Sequence, residues 1–285
     1  MMSLWHGDGL DLSAYLGRLG LARRPAATVE GLRLLHRAHV TTIPFENLEI
    51  IVGRPVRLDL DSVQAKLVAE RRGGYCFEHV TLFAAALEAL GFRFTALTGR
   101  VTLGREAHTR PPTHALLVVE FADGSRHLCD VGFGRGPLEP LLLVDYAESD
   151  QDGWRFRLTS RPMDDVFGTR SWTAWQRGTD WTDRHVFTLN PQFPIDYAVG
   201  NHFVSTSPHS PFTARTYVQR FSEREHHTLD ALTWTAETPD GTETVREVAA
   251  AEVPDLLADV FGIVLGSDDR RTVVERGALT SSRAV

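Results

Sequence analysis

The chain has 285 residues, 42% hydrophobic and 24% charged, which suits a globular protein of one large domain or two to three modest ones. A formal net charge of -7 gives no support for nucleic-acid binding, and two cysteines make no disulfide framework. No apolar run approaches a membrane span, and Met1 through Leu19 lacks the basic-then-apolar pattern of a signal peptide, so the expected setting is the cytoplasm.

Residues 1 to about 90 read as helical. Leu12, Tyr15, Leu16 and Leu19 recur on one helix face. Thr28 is placed to cap a second helix carrying Leu32, Leu35 and His39, which Thr41-Thr42-Ile43-Pro44 terminates. Asp61 and Gln64 have the spacing of a capping box that opens a further helix, closed by Gly73-Gly74. Lys66 is the only lysine. Arg72 and Glu46 are expected to pair and hold the Gly-Gly corner.

Cys76 follows that corner in Arg72-Gly73-Gly74-Tyr75-Cys76-Phe77-Glu78. Val80, Phe83, Ala84, Leu87 and Leu90 then fall on one helix face, ended by Gly91. Cys76 therefore occupies the first turn of a helix, where unpaired N–H groups and a partial positive charge favour a thiolate. The competing reading is a small buried apolar residue, because a nucleophilic cysteine also needs a base elsewhere.

From about 91 to 199, short apolar runs alternate with Gly, Pro and Asp turns: Phe94 to Val101, Ala115 to Phe121, Leu141 to Val144, Trp154 to Leu158 and Ser171 to Trp175. This spacing predicts an antiparallel sheet or barrel. His114 opens one strand; after Asp123-Gly124 the chain returns through His127 to Asp130. Thiol, imidazole and carboxylate are the parts of a Cys–His–Asp triad. A two-residue turn at Asp123-Gly124, however, pairs Asp130 with Leu117, roughly 10 Å along the strand from His114 and on the opposite face. Joining His114 to Asp130 requires a bulge, a longer loop or a bend. Gly132, Gly134 and Gly136 suit a bend there.

After residue 200, His227 to Thr235 and Glu243 to Val248 flank Pro239-Asp240-Gly241 as a hairpin, Val253 to Leu265 reads as a helix, and the tail from Thr280 is expected to fray. His36 with His39, and His226 with His227, have no cysteine or carboxylate at ligand spacing, so no metal is expected. Gly132-Phe133-Gly134-Arg135-Gly136 is not a dinucleotide fingerprint, since no strand-to-helix pattern follows it.

The segments around Cys76, Thr113-His114 and Asp130-Val131-Gly132-Phe133-Gly134 resemble, in order and separation, the three catalytic segments of the arylamine N-acetyltransferases. Ile43-Pro44-Phe45-Glu46-Asn47-Leu48 resembles the family's N-terminal signature, and Asn201-His202-Phe203 with Ser205 to Phe212 its C-terminal one. The resemblance implies an α+β fold: an N-terminal helical bundle (1–90), a central antiparallel β-barrel (91–199) and a C-terminal α/β lid (200–285), with a cysteine-protease-like triad. It implies Cys76 as acyl-accepting nucleophile, His114 as base and acid, and Asp130 as orienter. It places Thr113, Gly132, Phe133, Gly134, Phe203 and Ser205 around an acetyl-CoA cleft, with an arylamine or hydrazine as acceptor and the protein a monomer or homodimer. Tyr75, Phe133 and Phe203 are the expected aromatic walls, and the N–H of Cys76 or Tyr75 the expected oxyanion donor. Val80 departs from the family, which usually carries asparagine there. An amide synthase of the same superfamily, a cysteine hydrolase and a non-catalytic binding protein are the alternatives.

Overall fold

The computed structural model describes residues 3–280. Its N-terminal part is helical. Helix α1 (Leu12–Arg18) starts where Asp11 accepts the Ala14 N–H, and α2 (Val29–Thr42) where Thr28 accepts the Gly31 N–H. Tyr15, Leu16, Leu32 and Leu35 bury the expected faces. Strand β1 (Phe45–Glu46), α3 (Leu48–Ile51) and α4 (Leu60–Gln64) follow. The start of α4 differs from expectation. Asp59 is its cap, accepting the Ser62 N–H, while Gln64 reaches back to accept the Asp11 N–H. A single π turn, Ala65–Ala69, continues α4.

Helix α5 (Cys76–Leu90) is the hub of the N-terminal part. The sequence suggests one apolar face, yet residues 76–87 are all buried. It is wrapped on more than one side, touching α4 as well as the barrel strand β3. Val80 is fully buried in this core, where a branched alkyl group packs without an unpaired amide.

The barrel consists of β2 (Arg93–Val101), β3 (His114–Glu120), β4 (Arg126–Cys129), β5 (Leu141–Leu142), β6 (Glu148–Gln151), β7 (Trp154–Pro162), β8 (Arg170–Arg177) and β9 (Trp181–Phe187). All pairings are antiparallel, in the order β5-β4-β3-β2-β9-β8-β7-β6, and the sheet curls until it is nearly closed. Strand alternation divides β3 between two cores. Ala115, Leu117 and Val119 pack with the helices, while Leu116 and Val118 line the barrel with Leu128, Leu158 and Phe187.

Helix α6 (Pro194–Thr206) was not expected and runs through residue 199. The C-terminal sheet has the order β1-β10-β11-β12-β13, with β10 (Tyr217–Phe221), β11 (His226–Asp230), β12 (Thr233–Glu237) and β13 (Glu243–Glu247). The run His227 to Thr235 is thus two strands, broken at Ala231, whose φ of 55° turns the chain. The loop at Pro239-Asp240-Gly241 does form a hairpin. Helix α7 (Val253–Asp259) is shorter than expected, although Phe261, Ile263 and Leu265 beyond it remain buried; α8 (Ser267–Thr280) ends the described chain. The tail 281–285 lies outside the described residues. Among the described residues no helix is long and apolar enough to cross a membrane.

Candidate active site

Cys76 is the first residue of α5, and the corner before it is held by charge. Glu78 Oε2 accepts the Tyr75 N–H at 3.0 Å, while Glu78 Oε1 lies 2.7 Å from Lys66 Nζ. Lys66 also lies 3.6 Å from Glu46, which Arg72 contacts at 2.8 Å, so the expected Arg72–Glu46 pair is present with a lysine added. Burial works against the Lys66 charge, but Glu46 and Glu78 outweigh it and raise its pKa. The Tyr75 N–H is therefore committed to the helix cap. The Cys76 N–H, first of the helix, has no intrahelical acceptor.

The second triad element depends on one residue of loop length. Strands β3 and β4 pair Leu117 with Cys129 and Glu120 with Arg126, which leaves a three-residue loop of Ala122, Asp123 and Gly124. Gly124 takes φ of 81°, the left-handed conformation that closes such a loop. The extra residue shifts the register by one relative to a two-residue turn. That shift moves Asp130 onto the face shared by Leu128, Leu116 and His114. His114 Nε2 meets Asp130 Oδ1 at 2.8 Å, with both side chains buried.

The Cys76 thiol is also near enough to His114 to favour the protonated ring. With Nε2 on Asp130, Nδ1 is the ring nitrogen left for the thiol. Burial pushes His114 down, but the Asp130 carboxylate, helped by Cys76, raises it to about 10. Burial in turn pushes Asp130 up, yet His114 and then His185 hold it well below the usual carboxylate range. The Cys76 thiol lies 3.5 Å from the Thr113 carbonyl and only 5% of the residue is exposed, so access is narrow.

The remaining predicted residues fall into two groups. Gly132 lies against the nucleophile, where a Cβ would come within 2.6 Å of Cys76 Cα. Close packing on Cys76 therefore explains this glycine. Phe133 stands edge-on to His114 at 5.1 Å, and Gly134 lies beside Gln219 and Phe45. Thr113 is next to His114 in sequence. Phe203 and Ser205 lie farther along, on α6. Phe203 is 37% exposed, and Ser205 Oγ donates to the Asn201 carbonyl at 2.7 Å. Tyr75 is not an open wall: it is fully buried and its hydroxyl bonds Asn201.

His185 was not foreseen. Its Nε2 lies 2.8 Å from Asp130 Oδ2, so Asp130 holds two imidazoles. His114, Asp130 and His185 are the cluster among the described residues whose donor atoms are near enough together for a metal. An ionised carboxylate only accepts, so these 2.8 Å contacts place N–H groups, not ligating lone pairs, between the three. His39 belongs to a separate buried chain from Tyr15 through His79 to the Pro44 carbonyl, and burial lowers His79 to about 4. A polar cavity of about 370 Å³ lies on the C-terminal sheet, lined by Arg135, Tyr217, His226, Asp230 and Glu237 among others.

Residues 28–270 match the N-acetyltransferase family profile. The chain is 38% identical over 275 residues to the arylamine N-acetyltransferase of Mycolicibacterium smegmatis, covering 94% of this chain and 98% of that protein. It superposes on the crystal structure of Nocardia farcinica arylamine N-acetyltransferase with a TM-score of 0.90 at 51% identity, covering 95% of each chain. The Mycobacterium marinum arylamine N-acetyltransferase, solved in complex with CoA, aligns at 31% identity with a TM-score of 0.86, over 95% of this chain and 99% of that one.

Proposed function

This chain belongs to the arylamine N-acetyltransferase family, and from its site we propose that it moves an acetyl group from acetyl-CoA to an arylamine or hydrazine through acetyl-Cys76. The observation that carries this reading is the buried line from the thiol at the start of α5 through His114 to Asp130.

The steps follow from those groups. His114 Nδ1 takes the thiol proton, giving a thiolate beside an imidazolium. The thiolate attacks the thioester carbonyl, with the Cys76 N–H as oxyanion donor. The bond to CoA breaks, and His114 returns the proton to the departing CoA sulfur. An amine then attacks acetyl-Cys76, His114 takes the amine proton, and the Cys76 thiolate leaves. One site serves donor and acceptor in turn, so the kinetics are ping-pong.

In this reading residues 1–90 carry the nucleophile, 91–199 the base and orienter, and 200–285 form the lid. Thr113, Gly132, Phe133, Gly134, Phe203 and Ser205 border the acetyl-CoA arm. No metal takes part, and the protein works in the cytoplasm as a monomer or homodimer.

The test is thiol release from acetyl-CoA across a panel of anilines and hydrazines, with mass spectrometry of the enzyme before amine is added. One acetyl group on Cys76 and amine-dependent turnover are expected. Label on Cys129, or thiol release that continues beyond one equivalent per enzyme without amine, would reject the reading.

A further inference from the structure

We propose that His185 is a positioning residue of this reaction: its Nε2–H holds the second oxygen of Asp130 and keeps the carboxylate ionised and aimed at His114. The proposal rests on the triad reading above.

The two oxygens of Asp130 are shared evenly. His114 Nε2 meets Oδ1 at 2.8 Å and His185 Nε2 meets Oδ2 at 2.8 Å. His114, Asp130 and His185 are 3%, 2% and 1% exposed, so no solvent competes for these lone pairs. A carboxylate that leaned on His114 alone would leave one oxygen buried without a donor, a costly arrangement. It would also be free to rotate about its own bond, and the imidazole would turn with it.

The fold delivers His185 by a specific device. Strands β8 and β9 pair Ala174 with His185 but Trp175 with Asp183, so Arg184 is an extra residue in β9. A bulge re-aims consecutive side chains. Accordingly both residues reach Phe133: the Arg184 guanidinium lies 4.7 Å from the ring centre and the His185 ring 5.6 Å.

The tautomers follow. Asp130 accepts from both rings, so each carries its proton on Nε2. His114 keeps Nδ1 for the thiol. Among the described residues the buried Nδ1 of His185 has no hydrogen-bond partner, as an unprotonated nitrogen can be. The groups that act on His185 are Asp130 from the end of β4, His114 from β3 and Arg184 from its own strand; on β2 and β8 it faces Val101 and Ala174. Burial pushes His185 down and the Asp130 carboxylate pulls it up, but burial prevails, helped by the His114 and Arg184 charges, so it donates as a neutral ring.

The experiment compares His185→Phe, which keeps a flat ring but removes the donor, with His185→Gln, which retains an N–H. Three readouts are taken on the full chain: the rate of enzyme acetylation, the Michaelis constant for acetyl-CoA, and the pH profile of Cys76 alkylation by iodoacetamide. His185→Phe is expected to slow acetylation about tenfold or more, the scale of one hydrogen bond to a charged group, with little change in the Michaelis constant. The acid limb of alkylation should move up by about one pH unit, and His185→Gln should recover most of both effects. A folded His185→Phe with the native rate and profile would overturn the proposal. If His185→Phe does not fold, nitrogen-15 histidine spectra of the unaltered protein decide: a proton on Nε2 of His185 supports it, a proton on Nδ1 alone overturns it. Acetyl transfer by Cys76→Ser would instead remove the triad reading itself, whatever His185 does.

Discussion

Lys66 supports the nucleophile's helix through Glu78: its ammonium lies 2.7 Å from one carboxylate oxygen, and the other oxygen accepts the N–H of Tyr75 at 3.0 Å. Both side chains are largely buried. Replacing Lys66 by Met leaves Glu78 and Glu46 with one fewer cation in a dry site. Removing one partner of a buried pair costs about 3–5 kcal/mol. Urea unfolding of Lys66→Met should show a loss of that order. A change below about 1 kcal/mol, the range of an exposed pair, would show that the corner does not depend on this charge.

Asp130→Asn should fold yet lose roughly 10²- to 10⁴-fold in transfer rate, because an amide orients the imidazole poorly and cannot stabilise its cation. The pH dependence follows from His114, raised to about 10 against an ordinary 6.5. A raised folded value stabilises the protein fully below about pH 6.5 and loses that contribution as pH climbs through about 10. The Asp130 shift has the opposite sense, present above its ordinary 3.8 and lost as pH falls below it. Stability of the native protein should therefore decline between neutral and pH 10, and that slope should flatten in Asp130→Asn. Identical slopes in thermal melts across this range would contradict the coupling.

Gly132→Ala brings a methyl group within 2.6 Å of Cys76 Cα and 3.0 Å of its carbonyl oxygen, neither of which is a flexible side-chain end. The loop or the helix start must shift, at a cost of about 1–3 kcal/mol. Activity should fall further than stability, since the displaced atoms bear the thiol. Gly124→Ala is the control: it meets no atom within 4 Å, strains only the turn, and should cost about 1 kcal/mol with activity intact. Equal activity in the two variants would refute the packing argument.

Phe203→Ala should raise the Michaelis constant for acetyl-CoA, because a mostly apolar pantetheine arm seeks an aromatic wall. The effect should shrink with p-nitrophenyl acetate, which is too short to reach along α6. Equal losses with both donors would assign Phe203 to the acceptor side or to the fold.

The readable parts of the sequence were those with local causes. Thr28 as a cap, the apolar faces of α1 and α2, and the helix beginning at Cys76 each depend on neighbours a few residues away. The pairing of His114 with Asp130 was not readable by register, because Asp123-Gly124 fits a two-residue turn as well as the three-residue loop that forms. Strand β9 has no strand-like pattern at Asp183-Arg184-His185, which looks like a polar loop: a bulge and burial inside the barrel make it a strand. Helix α6 is hidden in the sequence for a different reason. Ile195, Val199 and Phe203 are exposed, its buried residues are Tyr197 and Val204, and Gly200 in its middle packs on Phe77, so its apolar pattern does not single out one face. His185 carries no local signal; the bulge at Arg184 and the pairing of distant strands bring it to Asp130.

The two residues of β1 carry a consequence for engineering. Phe45 and Glu46 pair with Gln219 and Val218 of β10, while the Glu46 N–H bonds the Gly74 carbonyl at 2.8 Å. The edge of the C-terminal sheet is thus stitched directly to the corner that presents Cys76. Exchanging residues after 200 between relatives to change acceptor preference would also change the seam that sets the nucleophile. A chimera that carries residues 43–48 together with its C-terminal sheet keeps both sides of that seam from one parent, and is the safer place to recombine.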